Sequence, residues 1–585
     1  MNNKEIASLL KSIAVYKELA GDNPFKIRAF DQASRIVESY PEDIAPIARE
    51  GALTHIRGIG RSVSQVIAEY VEKGASSTLR QLQSSFPPDI LSLMRIPGMG
   101  PKKVKAVWER LGISTMGELE YACMENRLIT LEGFGEKSQE KILKGIAFKK
   151  QFQDAHLFSE AIAAAREVQH ALKKSGVFAR VEIAGSLRRG KTVFKDIDML
   201  CVPVHERSFE EAKNELSGLA DKDQTIEGVI GAGPTKVSIR RKGIQIDFRI
   251  VSEHSYPSAL QHFTGSKEHN TLLRARAKKM GLKMNEYGLF SGEETLSLST
   301  EEEIYKNLGL CFIPPELREG NGEIEAAEKK ELPHLVERSD IRGMIHVHSI
   351  HSDGAHGIKT LAEECMKQGY SYLCISDHSR SAYYAHGLSP ERLMAQIEEV
   401  RRLNEECAPF KIFCGIESDI LADGRLDYTE DVLGRLDFVI GSIHSHLSMS
   451  PEEATTRLLT ALHNPYLTIL GHISGRLLLS REGYSYDEQN ILSALEKEMV
   501  VLEHNCNPHR LDPGWEFMKK ASALGILISL GTDAHSIEGF DDIEYGLVMA
   551  KKAWIPRSGI LNSMTGEEID EFFKRRKTKK SVQNI

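Results

Sequence analysis

The sequence predicts a multidomain chain in three parts: an all-α N-terminal region, an α+β middle, and a C-terminal α/β domain with the character of a distorted β/α barrel. Three observations carry that reading. A short glycine turn recurs between helical runs near residues 58, 98 and 133. Two apolar strand-like runs, around 193–202 and 244–250, carry aspartates. From Ile341 onward, strand-like and helical runs alternate, with His, Asp or Glu at the strand ends.

The first element is the repeated turn: Arg57-Gly58-Ile59-Gly60, Pro97-Gly98-Met99-Gly100 and Gly133-Phe134-Gly135. In a Gly-apolar-Gly turn the apolar residue tucks between two helices. The glycines, lacking Cβ, let backbone N–H groups approach a phosphate at the start of the second helix. This is a helix-hairpin-helix, a device that grips the DNA backbone without reading sequence. Lys102, Lys103 and Lys105 after the second turn, and Lys137 and Lys141 after the third, place cations where a backbone would pass.

The second element is Gly185-Ser186-Leu187-Arg188-Arg189-Gly190 followed by Asp196-Ile197-Asp198. Val193 to Val202 reads as a strand, where residues i and i+2 share a face about 7 Å apart. Ile244 to Ile250 reads as another, and pairing the two would bring Asp247 to the same edge. Three carboxylates suit two hard, octahedral cations such as Mg²⁺ or Mn²⁺. About 4 Å apart, such ions stabilise both the attacking and the leaving oxygen of an in-line displacement. The Gly-Ser turn offers N–H groups and a hydroxyl, and Arg189 a planar donor fork, to a triphosphate. The pattern points to nucleotidyl transfer.

The third element begins after Pro314-Pro315 and a charged stretch read as a linker. His346-Val347-His348, Asp353, Asp377-His378, Glu417, His444, His472 and Asp533-Ala534-His535 fall at successive strand ends, where barrel loops converge. Imidazoles with bridging carboxylates suit Zn²⁺, Mn²⁺ or Fe²⁺ and phosphoester hydrolysis. His351 and His446 are expected bystanders, and Arg380 and Arg476 are candidates for substrate phosphate. The final Lys574-Arg575-Arg576-Lys577-Thr578-Lys579-Lys580 run reads as a disordered basic tail.

Composition sets bounds on these readings. A length of 585 residues allows three to five units, and 41% hydrophobic with 27% charged residues is ordinary for a soluble globular protein. No apolar run reaches membrane-span length, and the N-terminus lacks a signal-peptide pattern, so cytoplasmic residence is expected. Eight cysteines without a Cys-x-x-Cys pair predict reduced thiols. A net charge of −8 means that any nucleic-acid contact must use local basic surfaces.

Residues 1 to about 318 resemble the X family of DNA polymerases. The acids are followed by Phe263-Thr264-Gly265-Ser266-Lys267-Glu268-His269-Asn270, then Arg274 and Asn285-Glu286-Tyr287, in that family's order and spacing. The resemblance implies that Gly185, Ser186 and Arg189 hold the triphosphate and that Asp196, Asp198 and Asp247 hold the metals. It implies further that Asn270 and Arg274 meet the nascent pair and template, and that Phe263 and Gly265 shape the sugar pocket. His262 stands where a tyrosine is common, which bears on discrimination against ribonucleotides. Val66 stands where lyase-competent members carry a Schiff-base lysine, so little or no deoxyribose-phosphate lyase activity is expected.

Residues 338–572 resemble the polymerase-and-histidinol-phosphatase (PHP) domain, which implies a trinuclear site held by His346, His348, Asp353, His378, Glu417, His444, His472, Asp533 and His535. Met344 replaces a common aspartate that is not a usual ligand. The implied domains are a helix-hairpin-helix DNA-binding domain (1–80), fingers with a further helix-hairpin-helix (81–150), a nucleotidyltransferase palm (151–262), a thumb (263–318), a linker (319–337), the PHP domain (338–572) and a tail (573–585). The expected function is gap-filling DNA synthesis in base excision repair, with Mn²⁺-dependent 3′–5′ exonuclease or abasic-site endonuclease action. The expected partners are gapped or nicked duplex DNA and deoxynucleoside triphosphates, bound by a monomer away from membranes. Two rivals are a polymerase with a purely structural PHP domain and a non-catalytic DNA-end-binding protein.

Overall fold

A computed structural model describes residues 3–583 except 39, 41, 89, 152, 153 and 206. The chain forms two compact units, residues 1–153 and 154–585.

The first unit is helical throughout its described residues. Helices Asn3–Ala20, Pro24–Glu38, Ile44–Arg49 and Arg61–Lys73 close around Ile6, Leu10, Ile13, Phe30 and Ile67. Helices Pro101–Leu111, Met116–Met124 and Glu136–Gln151 share a second core with Val104, Leu119 and Ile142. Ile59, Met99 and Phe134, the middle residues of the three glycine turns, are all buried. Gly58, Gly98 and Gly133 hold φ of +96°, +91° and +84°, a region that disfavours a Cβ.

The second unit starts with a five-stranded mixed sheet. Its strands lie in the order Phe178–Ile183, Asp196–Pro203, Ile244–Ile250, Lys236–Arg241, Ile226–Ala232. Asp196–Pro203 and Ile244–Ile250 run parallel, and Ile197, Met199, Ile246 and Phe248 are buried beneath them. The single strand expected over 193–202 is broken at Lys195 into Val193–Phe194 and Asp196–Pro203. After helices Tyr256–Thr264 and Lys267–Lys279, a separate core gathers Leu273, Tyr305, Leu308 and Ile313.

The stretch expected as a linker is not a loose connector. Residues Glu323–Lys329 form a helix whose Ile324 and Ala327 join that same core. Charged composition hid two apolar residues at helical spacing.

Seven parallel strands then close a barrel: Gly343–Val347, Tyr372–Ile375, Lys411–Asp419, Phe438–Ser442, Ile469–Leu470, Val501–Asn505 and Ile528–Ala534. Ile345, Tyr372, Phe413, Phe438 and Ile469 are buried with Phe573 in one cluster. The expected disordered tail is corrected here. Residues Gly566–Gln583 are a helix, Phe573 stacks on Phe438 at 5.2 Å, and buried Arg576 donates to the Leu467 carbonyl at 2.7 Å. All eight cysteines are free thiols.

Candidate active sites

The first site lies at the edge where the two parallel strands carry their acids. Asp198 is directly opposite Asp247, and Asp196 precedes Asp198 by two residues on the same strand. Asp196 is exposed, Asp198 half-buried and Asp247 buried, so the three grade from solvent inward. Burial, with Asp196 and Asp247 close by, pushes Asp198 up to about 6. Burial acts the same way on Asp247, yet Lys236 at 2.7 Å, Ser238 and Gln245 outweigh it and hold that carboxyl below its ordinary range.

The Gly185–Arg188 turn caps this edge. Gly185 has φ +62°, and a Cβ there would lie 2.3 Å from Asp198 Oδ2. Ser186 is half-buried beside it. Arg188 is bidentate to Glu301, at 3.1 and 2.8 Å, and donates to Thr264 Oγ1 at 2.7 Å, tying the turn to the following helical core. Arg189 departs from its expected posture as an open donor fork. Its guanidinium is buried, donates to the Thr264 carbonyl and pairs with Glu319 at 3.2 Å.

Across the site, Arg249 lies over the Phe263 ring at 5.2 Å, and His262 packs edge-on to the same ring. Asn270 is braced from both ends of its amide, by Gln261 and by the His262 carbonyl, each at 2.8 Å. Arg274 is exposed on the same helix, and Gly265 leaves Arg189 Nη1 only 3.1 Å from where a Cβ would sit. Glu323, from the stretch expected as a linker, pairs with His269 at 2.7 Å.

The second site sits inside the C-terminal mouth of the barrel. Three overlapping groups of donors form there: His348, Asp353, His378 and His535; His346, His348, Glu417 and Asp533; His378, Glu417 and His444. His472 lies outside these groups but places Nε2 3.0 Å from Glu417 Oε1. The His-x-His pair does not converge by simple strand alternation. The strand register shifts at Ile345/Val347, and His346 and Asp533 hold φ of +64° and +52°, a bulge that re-aims their side chains inward.

Two carboxylates missed from sequence hold these imidazoles. Glu503 takes His346 Nδ1 at 2.5 Å and Asp419 takes His444 Nδ1 at 2.5 Å, which leaves each Nε2 facing Glu417 at 3.3 and 3.2 Å. Asp419 was findable, because it follows Glu417 by two on one strand. Burial opposes charge on His346, but Glu503, Glu417 and Asp533 raise it well above the ordinary imidazole value. Burial also opposes charge on His444, but Glu417 and Asp419 lift it to about 10. Burial, with His535 and His378 alongside, pushes His348 down to about 4.

The donor set fits a metal cluster. His346 Nε2, His348 Nδ1, His378 Nδ1 and Glu417 Oε2 are buried without a well-aligned hydrogen bond, although His378 Nδ1 and Glu417 Oε2 lie 2.9 Å apart, and coordination would relieve that costly state. His351 instead pairs with Glu399 at 2.8 Å, and His446 is exposed. Arg380 pairs with Asp427 and Arg476 donates to the carbonyls of Arg510 and Leu511, so both brace loops. The arginine beside the cluster is Arg510, 3.6 Å from Asp533.

In the first unit a Cβ at Gly60, Gly100 or Gly135 would meet nothing within 4 Å, so these turns are open on their outer side. Gly60 and Gly100 are N-caps of the helices that follow them. Lys102 is exposed, whereas Lys103 is bound to Ser138 at 2.7 Å and lies over Phe134. Val66 is buried in the first core.

Four family models match this chain: a helix-hairpin-helix domain over residues 1–76, a SAM-like helix-hairpin-helix tandem over 90–147, the DNA polymerase beta thumb over 259–319 and the PHP domain over 345–507. A DNA polymerase/3'-5' exonuclease PolX of Bacillus subtilis (strain 168) is 38% identical over 580 residues, covering 98% of this chain and 100% of that one. The DNA-directed DNA/RNA polymerase mu of Homo sapiens is 23% identical over 53% of this chain and 68% of its own. A probable phosphatase of Thermoanaerobacter sp. (strain X514) is 29% identical over 40% of this chain and 95% of its own.

Proposed function

We infer that this chain extends DNA with one site and trims it with another, from the premise that the chain belongs to the family X DNA polymerases that carry a C-terminal PHP domain. It is a DNA-directed DNA polymerase with a 3′–5′ exonuclease domain. The observation that best supports two separate chemistries is the pair of centres: three graded aspartates on two neighbouring interior strands of the sheet, and three overlapping His/Asp/Glu groups in a barrel mouth.

At the first centre Asp196, Asp198 and Asp247 would hold Mg²⁺ or Mn²⁺, which when bound stabilises the attacking 3′-oxygen and the leaving pyrophosphate. Gly185 lets the turn close over Asp198, so that its N–H groups and Ser186 face the triphosphate. Asn270, fixed by Gln261, presents a rigid amide to the nascent pair, and Phe263 with Gly265 lines the sugar. At the second centre the nine predicted ligands would hold up to three Zn²⁺, Mn²⁺ or Fe²⁺ ions, which supply hydroxide and offset phosphate charge. Glu503 and Asp419 fix the tautomers of His346 and His444 so that each presents Nε2. Arg510 is placed to meet a phosphate. The open glycine turns would grip gapped or nicked duplex through its backbone. Among the described residues no helix is long and apolar enough to cross a membrane.

A 5′-labelled primer on a one-nucleotide gapped duplex with Mn²⁺, with and without deoxynucleotides, tests this. Asp198→Ala should lose extension and keep primer shortening; His346→Ala should do the reverse. Shortening at the wild-type rate in His346→Ala would remove the exonuclease role from the barrel.

A further inference from the structure

Beneath the nucleotide-binding turn lies a lysine from the other catalytic domain. Lys552, at the end of the barrel helix Ile543–Lys552, is 3% exposed. Its ammonium donates to the Arg189 carbonyl at 3.0 Å and pairs with Glu319 Oε1, the same oxygen that takes Arg189 Nε at 3.2 Å. One turn back on that helix, Val548 packs so closely on Gly190 that a Cβ there would lie 2.3 Å from its Cγ1. The barrel helix therefore supports the backbone of the turn and shares the counter-ion of its arginine.

That sharing has a consequence for nucleotide binding. To turn towards a triphosphate, Arg189 must release both the Thr264 carbonyl and Glu319, whose side chain is 16% exposed. Abandoning a largely buried carboxylate without a partner is strongly unfavourable. With Lys552 on the same oxygen, Glu319 stays paired when Arg189 turns away. The Arg189 backbone meanwhile stays anchored by the Lys552 hydrogen bond to its carbonyl.

We propose that Lys552 is a positioning residue for nucleotide addition, a counter-ion lent by the PHP domain that frees Arg189 for the triphosphate. This rests on the polymerase reading of the Asp198 centre. Without Lys552, Glu319 depends on Arg189 for its counter-ion and competes with the incoming nucleotide. Neutralising Glu319 then removes the competitor.

Steady-state filling of a one-nucleotide gap by the full chain tests it, with Lys552→Met, Glu319→Gln, the double variant and Asp198→Ala. Lys552→Met should raise KM for the incoming deoxynucleotide by about tenfold or more with kcat within about twofold. Adding Glu319→Gln should return KM to within about threefold of wild type. Primer shortening by the barrel should be unchanged in Lys552→Met, which reports an intact fold. An unchanged KM in Lys552→Met overturns the proposal, as does a loss that Glu319→Gln does not repair, since a packing defect would persist. Should Lys552→Met not fold, the double variant decides alone: near wild-type KM supports the proposal, and a tenfold rise overturns it. Asp198→Ala extending as fast as wild type would instead overturn the polymerase reading, an outcome no Lys552 variant can produce.

Discussion

At Gly185 one hydrogen separates a working turn from a collision with Asp198, because a Cβ would sit 2.3 Å from the carboxylate and φ is already +62°. Gly185→Ala should therefore displace the Asp198 carboxylate and slow extension by roughly 10²-fold, with primer shortening retained in the same assay. Asp198 itself sets a pH limit. Its pKa is raised to about 6 by burial and by Asp196 and Asp247, so below that pH it carries a proton that a cation must displace. The Mg²⁺ concentration for half-maximal extension should rise by up to about tenfold per pH unit below about 6 and be flat above it. A flat dependence down to pH 5 would mean that Asp198 is already ionised there. Asp196 and Asp198 are legible as an i, i+2 pair, whereas the raised pKa follows from Asp247 across the register and from burial, which spacing alone does not reveal.

Between elements, the Gly185–Arg188 turn is fastened to the helical core that follows it by the triad of Arg188, Glu301 and Arg318. Glu301, 5% exposed, takes two hydrogen bonds from Arg188 and one from Arg318. Burial would raise Glu301, yet Arg318 and Arg188 outweigh it and hold it at about 2. The folded value lies below the ordinary carboxylate value of 4.5, so this stabilisation is complete above about pH 4.5 and is lost as pH falls towards 2. Glu301→Gln leaves the buried Arg318 guanidinium and the half-buried Arg188 without their carboxylate and should cost ~3–5 kcal/mol in denaturant unfolding at neutral pH. The same variant should show a weaker acid dependence than wild type. Nothing in the sequence marks Glu301 among its neighbours Glu302 and Glu303; helix phase and the arrival of Arg318 from 17 residues later select it. The charged stretch 319–337 misleads for a related reason. Two of its charges are paired in the interior, Glu323 with His269 and Glu319 with Arg189 and Lys552, while Glu325, Lys329, Lys330 and Glu331 face solvent.

Across the whole second unit, the barrel gathers donors from five of its seven strands into one mouth, with His472 from a sixth beside them, and they do not contribute equally. Glu417 belongs to two of the three donor groups and Asp353 to one. Metal analysis of purified protein should find that Glu417→Gln loses more of its metal than Asp353→Asn does. Equal losses would count against Glu417 as the shared bridge. Because a cluster bound only by the folded state stabilises it, chelation should lower the melting temperature of wild type and change that of Glu417→Gln less. At the opposite end of the barrel Phe573 seals the strand interior against Phe413 and Phe438, so truncation before Phe573 should destabilise the barrel although the removed segment reads as a basic tail.

By itself the sequence determined the order of the three fold types, the glycine turns with their buried middle residues, the aspartate-bearing strands and the His, Asp and Glu residues of the barrel mouth, because each is written locally in side-chain periodicity or in residue pairs at strand ends. Tertiary structure decided what lies across space: Asp247 opposite Asp198, Glu503 and Asp419 behind the imidazoles, Glu301 between two arginines, and Lys552 sharing Glu319 with an arginine 363 positions away in the chain. Those are relations between charges in a low-dielectric interior. Their strength depends on distance and burial, which arise only when distant segments pack, and neither quantity is encoded in any single window of the chain.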